Sequence, residues 1–487
     1  MVDSYRKFAR AILSVGCITL LIALRDLILL SLLTKAIGAH DYGLWCQVQI
    51  TFEIMAFCAS LGLPYAMTRF MASMEKREEI QELFNSIFLT ALLSAAVITI
   101  LLIVFSSLIA RAFFEGITGI VIITAFIALL SVLDNTCLSY FRSFQRMGAY
   151  SIAVVSRSYG EIILVALLVL TGQAIYGVLI AVLIARSVSF IVLYYLVRSQ
   201  LGFKWPCFIR VRECLDFSLP LISSNISGWI LTSADRFVIA YFLGATAVGI
   251  YSAGYYIGSI PLGVSALLTT VLLPRLSKSY DENKMNEVKA YMSSCLKYAL
   301  AIIIPFVFQA TLLSKQLLLM FANPEVASRG SLVVPFIALS TLFYGVQAVI
   351  GFIIELVKKT RIAGVIWAIA ALVNLGLDIL VVPATAIWGG INGAALTTLI
   401  TYALAMVLTV YFSFKEFKFD IGWQFIIKCL AASAIMSLVI WWINPQETVS
   451  TILTIIAGTV VYVVVLIFLK GLWKDELEFL RKLLPGH

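Results

Sequence analysis

Only 13% of the 487 residues are charged, and only two are histidine, His40 and His487. Hydrophobic residues make up 62%, and mean hydropathy is +1.02. A soluble chain of this length needs far more polar surface, so most of this one must face lipid. With so little histidine, a histidine proton relay is nearly excluded. No GxxxxGK[ST] segment occurs, so no ATP site is expected. The eight cysteines are scattered without a CxxC, which argues against both a disulfide framework and a metal site.

What is present is a series of long apolar runs. A spanning helix takes roughly 20 apolar residues, and the chain offers about fourteen such runs, from 11–34 to 449–469. The longest connections are expected near 70–83, 199–215 and 275–294, with no soluble domain. The N-terminus imitates a signal peptide but lacks a small-residue cleavage site, so it reads as a retained first helix. Ser14-Val15-Gly16-Cys17 is a near miss for a lipoprotein box.

Lys and Arg alternate between the two sides. One side gathers the N-terminus, Arg69 to Arg77, Arg142 and Arg146, Arg198 to Arg212, Arg275 to Lys297, Lys358 to Arg361 and the C-terminal tail. The other holds Lys35, Arg111, Lys315 and Arg329. That asymmetry puts both termini in the cytoplasm and makes the net charge of +9 a topology signal, not a mark of nucleic-acid binding. Trp205, Trp423, Trp441 and Trp442 fall at predicted helix ends, as interfacial anchors do.

The chain repeats itself. Gly38-Ala39-His40-Asp41-Tyr42-Gly43-Leu44-Trp45 returns 206 positions later as Gly244-Ala245-Thr246-Ala247-Val248-Gly249-Ile250-Tyr251, and Arg69 falls in register with Arg275. Each copy follows an apolar run bearing adjacent opposite charges, Arg25-Asp26 and Asp235-Arg236. A duplicated membrane half with charges near its centre is the layout of a secondary transporter. The expected fold is therefore an all-α integral membrane protein of two six-helix parallel-repeat lobes. Residues 1–198 carry helices 1–6, 214–413 carry helices 7–12, 421–470 form an extra helix pair, and 471–487 form an amphipathic cytoplasmic tail.

Ionisable groups inside the runs are Arg25, Asp26, Glu53, Asp134, Arg157, Glu161, Arg186, Asp235, Arg236, Glu355, Asp378 and Lys428. A charge at the bilayer centre costs roughly 2.5–3.5 kcal/mol on insertion scales, so each needs a partner or water. Arg25, Arg236, Arg69 and Arg275 are candidates for a cationic chamber. The alternative is that Arg25–Asp235 and Asp26–Arg236 are structural pairs, and that Arg69 and Arg275 snorkel to headgroups. Sequence neighbours do not face each other on a helix, so Arg25 is expected to meet Asp235 or substrate instead of Asp26. Arg157 and Glu161, four apart, are expected to neutralise each other. Arg186 faces either a cavity or a carboxylate. Glu53, and Asp378 with Asn374, are candidate cation or proton sites. Trp229 stacks on a sugar or packs in the core. Gly62-Leu63-Pro64 and the region around Pro261 break equivalent helices, either lining a watery cavity or kinking for packing.

Asp216-Phe217-Ser218-Leu219-Pro220, Ser233-Ala234-Asp235-Arg236-Phe237 and Gly249-Ile250-Tyr251-Ser252 closely resemble the polysaccharide biosynthesis flippases. These are the Wzx-type branch of the multidrug/oligosaccharidyl-lipid/polysaccharide exporter superfamily. Gly38 to Gly43, and Leu61-Gly62-Leu63-Pro64 followed by Arg69, match the same family. The resemblance covers the whole chain and implies fourteen helices in two rocking lobes in a bacterial inner membrane. It implies an undecaprenyl-pyrophosphate-linked oligosaccharide as cargo, moved to the periplasmic leaflet for O-antigen or a similar glycan. A polysaccharide polymerase and a chain-length regulator would be its partners, and membrane lipids its surroundings. The head group would sit among Arg25, Arg236 and their neighbours. No cofactor is implied, and coupling would run on H+, Na+ or the membrane potential alone. A lipid II flippase or a cation-coupled exporter of the same superfamily is the alternative. A glycan polymerase or ligase is a further one, though the outer loops are too short and poor in carboxylate and His for catalysis; no enzyme is expected.

Overall fold

The computed structural model describes residues 21–263, 276–384 and 389–470. All regular elements among them are helical. Lipid supplies no hydrogen bonds, so an apolar run must satisfy its backbone internally, and a helix does so. Eleven described helices are long and apolar enough to cross a membrane, or twelve if one bent pair counts as a single span. The two remaining runs expected from the sequence, 11–34 and 247–273, extend into residues outside those described, as do Arg275 and the tail 471–487.

Two compact units divide the chain, 24–249 and 250–487 with 1–23. The first holds most of α1 (21–36), then α2 (Gly38–Ala59), α3 (Leu63–Met71), α4 (Arg77–Val104), α5 (Ser106–Phe113) and α6 (Thr118–Ser143). It continues through α7 (Met147–Leu170), α8 (Ala174–Leu201), α9 (Ile209–Trp229), a π-helical turn (Ile230–Ala234), α10 (Asp235–Leu243) and the first turn of α11 (Ala245–Gly258). The unit boundary at Gly249 follows packing, whereas a division after 198 follows the repeat.

The second unit contains the rest of α11, α12 (276–281), α13 (Met285–Leu312), α14 (Ser314–Phe321), α15 (Pro324–Gly330) and α16 (Val333–Leu356). After these come α17 (Thr360–Val381), α18 (Gly390–Glu416), α19 (Trp423–Ile443) and α20 (Thr448–Phe468). The helix pair α19 and α20 packs on α13 through Leu296, Ala299, Cys429 and Met436, and the Tyr462 hydroxyl donates to the Ala301 carbonyl at 2.9 Å.

The long connections expected from hydropathy are mostly helix. Lys, Arg and Glu lower hydropathy at a span's edge yet are good helix formers, so α4, α9 and α13 start earlier than the apolar runs do. The chain between α8 and α9 is strapped to α4. Arg77 donates to the Gln200 carbonyl at 2.9 Å, Ser86 donates to the Cys207 carbonyl at 3.0 Å, and Lys204 pairs with Glu82 at 2.8 Å.

The break between α2 and α3 bends the span by 51°. Leu61 and Gly62 take left-handed backbone, φ 50° and 66°. Pro64 sits in the first turn of α3, where its missing N–H costs nothing. The Ser218 hydroxyl of α9 donates to the Leu61 carbonyl at 2.7 Å, satisfying a backbone group that the break frees. A β-carbon on Gly62 would come within 3.0 Å of the Ser218 β-carbon, so the contact needs glycine twice over.

Candidate functional site

Helices α2, α3, α6, α7 and α8 of the first unit enclose a cavity of about 340 Å³. Its charged walls are Arg142, Arg157, Arg186 and Glu53, joined by Ser131, Asn135, Pro64 and Tyr65. Three guanidinium groups against one carboxylate make the wall cationic. Glu53 is accessible although protein surrounds it, because its free surface faces the cavity.

A buried carboxylate holds one of these arginines, and hydroxyls and aromatic rings hold the other two. Asp134 is 0% exposed, pairs with Arg157 and accepts the Ser189 hydroxyl at 2.6 Å. Arg186 donates to the Ser131 hydroxyl at 2.9 Å and lies over the Phe52 ring, 4.6 Å from its centroid. Its Nε is buried and has no hydrogen-bond partner among the described residues, so donor capacity is left over. A planar guanidinium held by an aromatic ring and a hydroxyl is pre-oriented for a bidentate anion.

A second layer continues from the first. Arg25 lies 2.8 Å from Asp26 and 3.1 Å from Glu161. Arg236, 4% exposed, donates to the Thr232 carbonyl at 2.8 Å, and Asp235 accepts the Arg236 backbone N–H at 2.8 Å. The π turn just before Asp235 shifts the helix face there, a distortion common at functional sites. Arg186, Arg236 and Asp26 all stand near enough to Glu53 to act on its charge.

Two expected pairings are corrected. Arg25 does reach its neighbour Asp26, because a long guanidinium arm curls back where a short side chain could not. Arg157 and Glu161 do not pair with each other; each takes a partner on another helix, Asp134 on α6 and Arg25 on α1. Desolvated charges favour those inter-helix contacts over an i, i+4 pair worth about 0.2–0.5 kcal/mol.

A family model described as polysaccharide biosynthesis protein matches residues 8–280, more than half of the chain. The chain belongs to that family. A second model, MatE, matches 220–380. Among curated relatives of this family member, the probable low-salt glycan biosynthesis flippase Agl15 of Haloferax volcanii is 22% identical over 471 residues. The match covers 93% of this chain and 94% of that protein. Stage V sporulation protein B of Bacillus subtilis is also 22% identical, with 98% and 97% covered. Among solved structures, the lipid II flippase MurJ in an inward closed conformation superposes with a TM-score of 0.75 at 20% identity, covering 94% and 98% of the two chains. An inward-facing multidrug resistance MATE family transporter gives 0.61 at 15% identity, with 84% and 97% covered.

In this polysaccharide biosynthesis family member, the remaining sequence candidates scatter. Arg69 is exposed in the last turn of α3 and is not on the cavity wall, although Pro64, Tyr65 and Thr68 of that helix are. Arg25 and Arg236 stand behind the wall, not on it. Pro261 is buried just past α11, where the helix breaks at 259–261. The Trp229 ring tilts against Phe237 at 5.8 Å, and its buried Nε1 has no partner among the described residues. In the second unit, Asp378 and Asn374 are both 0% exposed, and Thr397 of α18 donates to Asp378. Neither polar atom of the Asn374 side chain has a partner among the described residues. Arg142 and Ser131 were not legible as site residues. Arg142 sits at a helix end, where a basic residue reads as topology, and a lone serine gives no signal.

Proposed function

We propose that the chain is a flippase for an oligosaccharide carried on a polyprenyl diphosphate, undecaprenyl diphosphate in a bacterial inner membrane. It moves the cargo from the cytoplasmic to the opposite leaflet by alternating access, for assembly of O-antigen or a similar surface polysaccharide. The cavity walled by Arg142, Arg157 and Arg186 carries this reading. A diphosphate entering low dielectric needs fixed cations with bidentate donors, and Arg186 is braced for that task by Phe52 and Ser131. Family membership and the glycan flippase named among the relatives support the same reading. Both termini face the cytoplasm by the Lys/Arg bias. A polysaccharide polymerase and a chain-length regulator would take over the delivered units.

An inside-negative potential favours outward movement of an anion by about 2.3 kcal/mol per charge per 100 mV. Coupling to H+ or Na+ would use Asp378, Asn374 and Thr397, whose oxygens suit a hard monovalent cation. Replacing Na+ by K+ should then slow transport in the wild type but not in Asp378→Asn.

The fold shared with the lipid II flippase favours a second reading, in which lipid II is the cargo. One experiment separates the two. In a deletion strain, surface polysaccharide should vanish and complete lipid-linked repeat units should collect on the cytoplasmic leaflet. Arg186→Ala, at normal expression, should restore export about tenfold or more less well than wild type, the loss expected for a charged hydrogen bond. Intact surface glycan with arrested peptidoglycan synthesis would instead assign lipid II.

A further inference from the structure

The second unit has its own cavity, of about 420 Å³, and its walls come from the counterparts of those enclosing the first. Tyr344, Gln347, Gly351 and Glu355 of α16, Trp367 of α17 and Thr409 of α18 line it. Met147 and Thr360, which open α7 and α17, are 213 positions apart. The same shift sets Ser131 on Tyr344 and Arg142 on Glu355, residues that line the respective cavities. That spacing is seven longer than the 206 of the motif copies, yet in it corresponding helices wall two cavities of opposite chemistry. The first cavity presents three arginines. The second has no Lys or Arg on its wall and presents one carboxylate, one amide, the hydroxyls of Tyr344 and Thr409, and the rings of Tyr344, Phe352 and Trp367.

We propose that this second cavity binds a sugar residue of the cargo that bears no negative charge, a neutral or amino sugar. The inference rests on the flippase reading and adds a specificity site to it. Trp367 and Tyr344 lie with ring centroids 6.2 Å apart at 48°, so their faces are available to the C–H face of a pyranose as well as to each other. The Tyr344 ring is held edge-on by Tyr402 at 5.7 Å. Around these rings Gln347 supplies both donor and acceptor, and Glu355 supplies an acceptor with no cation within ion-pair distance among the described residues. Thr409 is 1% exposed and its hydroxyl has no partner among the described residues. A buried hydroxyl left unpaired is costly, and a sugar hydroxyl would satisfy it. Apolar faces with a few convergent polar groups are the makeup of a small-molecule site. The lone carboxylate repels phosphate and uronic acids.

Gly351 provides a space-filling test. A β-carbon there would meet Thr409 and Gln347 only at 3.7 and 3.8 Å, so the backbone tolerates it while a larger side chain would enter the cavity. The experiment is saturation-transfer NMR on the purified full-length protein with methyl glucoside, methyl N-acetylglucosaminide, methyl glucuronide, tetraphenylphosphonium and inorganic pyrophosphate as separate probes. At least one uncharged glycoside should bind, and the glucuronide should not. Trp367→Ala and Gly351→Phe should each weaken the glycoside signal roughly fivefold, the scale of one lost aromatic contact. Both variants should keep pyrophosphate binding, which also certifies their folding, and Arg186→Ala should do the reverse. Glycoside binding untouched by Trp367→Ala and Gly351→Phe overturns the proposal. So does competition in which tetraphenylphosphonium alone occupies the cavity. Absence of any glycoside signal with pyrophosphate still bound removes this site and leaves the flippase reading standing. Absence of pyrophosphate binding with glycoside retained strikes the flippase reading instead.

Discussion

Gly43 and Gly249, equivalent residues of the two motif copies, face each other where α2 crosses the start of α11. A β-carbon on Gly43 would lie 1.8 Å from the Ala245 carbonyl oxygen, and one on Gly249 would lie 2.1 Å from the Ala39 carbonyl oxygen. Ala39 and Ala245 are themselves equivalent, so the contact is reciprocal. The motif recurs because each copy supplies half of one close helix crossing. In membranes such crossings use small residues, since no hydrophobic force drives helices together there. Gly43→Ala and Gly249→Ala should each lower stability by about 1–3 kcal/mol, the usual cost of overpacking. The double variant should cost less than the sum, because one displaced crossing relieves both clashes. Thermal unfolding of the three variants in one detergent checks this, and strictly additive losses would contradict a shared contact.

The same end of α2 carries a staple. His40 lies 2.9 Å from both Asp41 and Glu115, and each carboxylate also accepts a backbone N–H from the first turn of another helix. Glu115 takes Ala245 at 3.1 Å, and Asp41 takes Ile175 at 3.2 Å. The hydrogen bond from His40, then that from Ala245, holds the Glu115 carboxyl below its ordinary range. A depressed carboxyl contributes stability above its unfolded value, near 4.3, and loses it as pH falls through the folded one. Wild type should therefore lose more melting temperature between pH 7 and pH 3 than Glu115→Gln does. The difference should be small and shrink with salt, since Glu115 is 44% exposed. An equal loss in both proteins would remove Glu115 from the account.

The spans were legible because lipid imposes one rule on every residue of a run, and the repeat because both copies serve one crossing. The break at Gly62-Leu63-Pro64 was legible too, since those residues fit few other conformations. Pairings were not. Arg157 and Glu161 stand four apart on α7, which permits a contact without requiring one, and the partners each takes lie 23 and 136 positions away along the chain. Hydropathy also truncated α4, α9 and α13, because it marks where lipid ends and not where a helix does.

Arg186 should be irreplaceable by lysine. Its Cζ lies over the Phe52 ring, Nη1 donates to Ser131, and Nε has no partner among the described residues. An ammonium keeps the charge but loses the planar fork of paired donors. Pyrophosphate titration should show Arg186→Lys weakened nearly as much as Arg186→Ala, by about tenfold. Binding at wild-type strength in the lysine variant would mean that charge alone matters.

Asp134 tests whether the buried pairs place the arginines or merely neutralise them. It is fully buried on α6, with Arg157 on one oxygen and Ser189 on the other. Asp134→Ala leaves Arg157 without its partner at 16% side-chain exposure, which should cost about 3–5 kcal/mol. Replacing both, as Asp134→Leu with Arg157→Met, should recover most of that stability, because an apolar pair avoids the desolvation of two charges. Pyrophosphate binding should not recover with it, since one of the three cavity arginines is then gone. A double variant that is stable and still binds at full strength would assign Arg157 to the scaffold and leave Arg142 and Arg186 as the anion's partners.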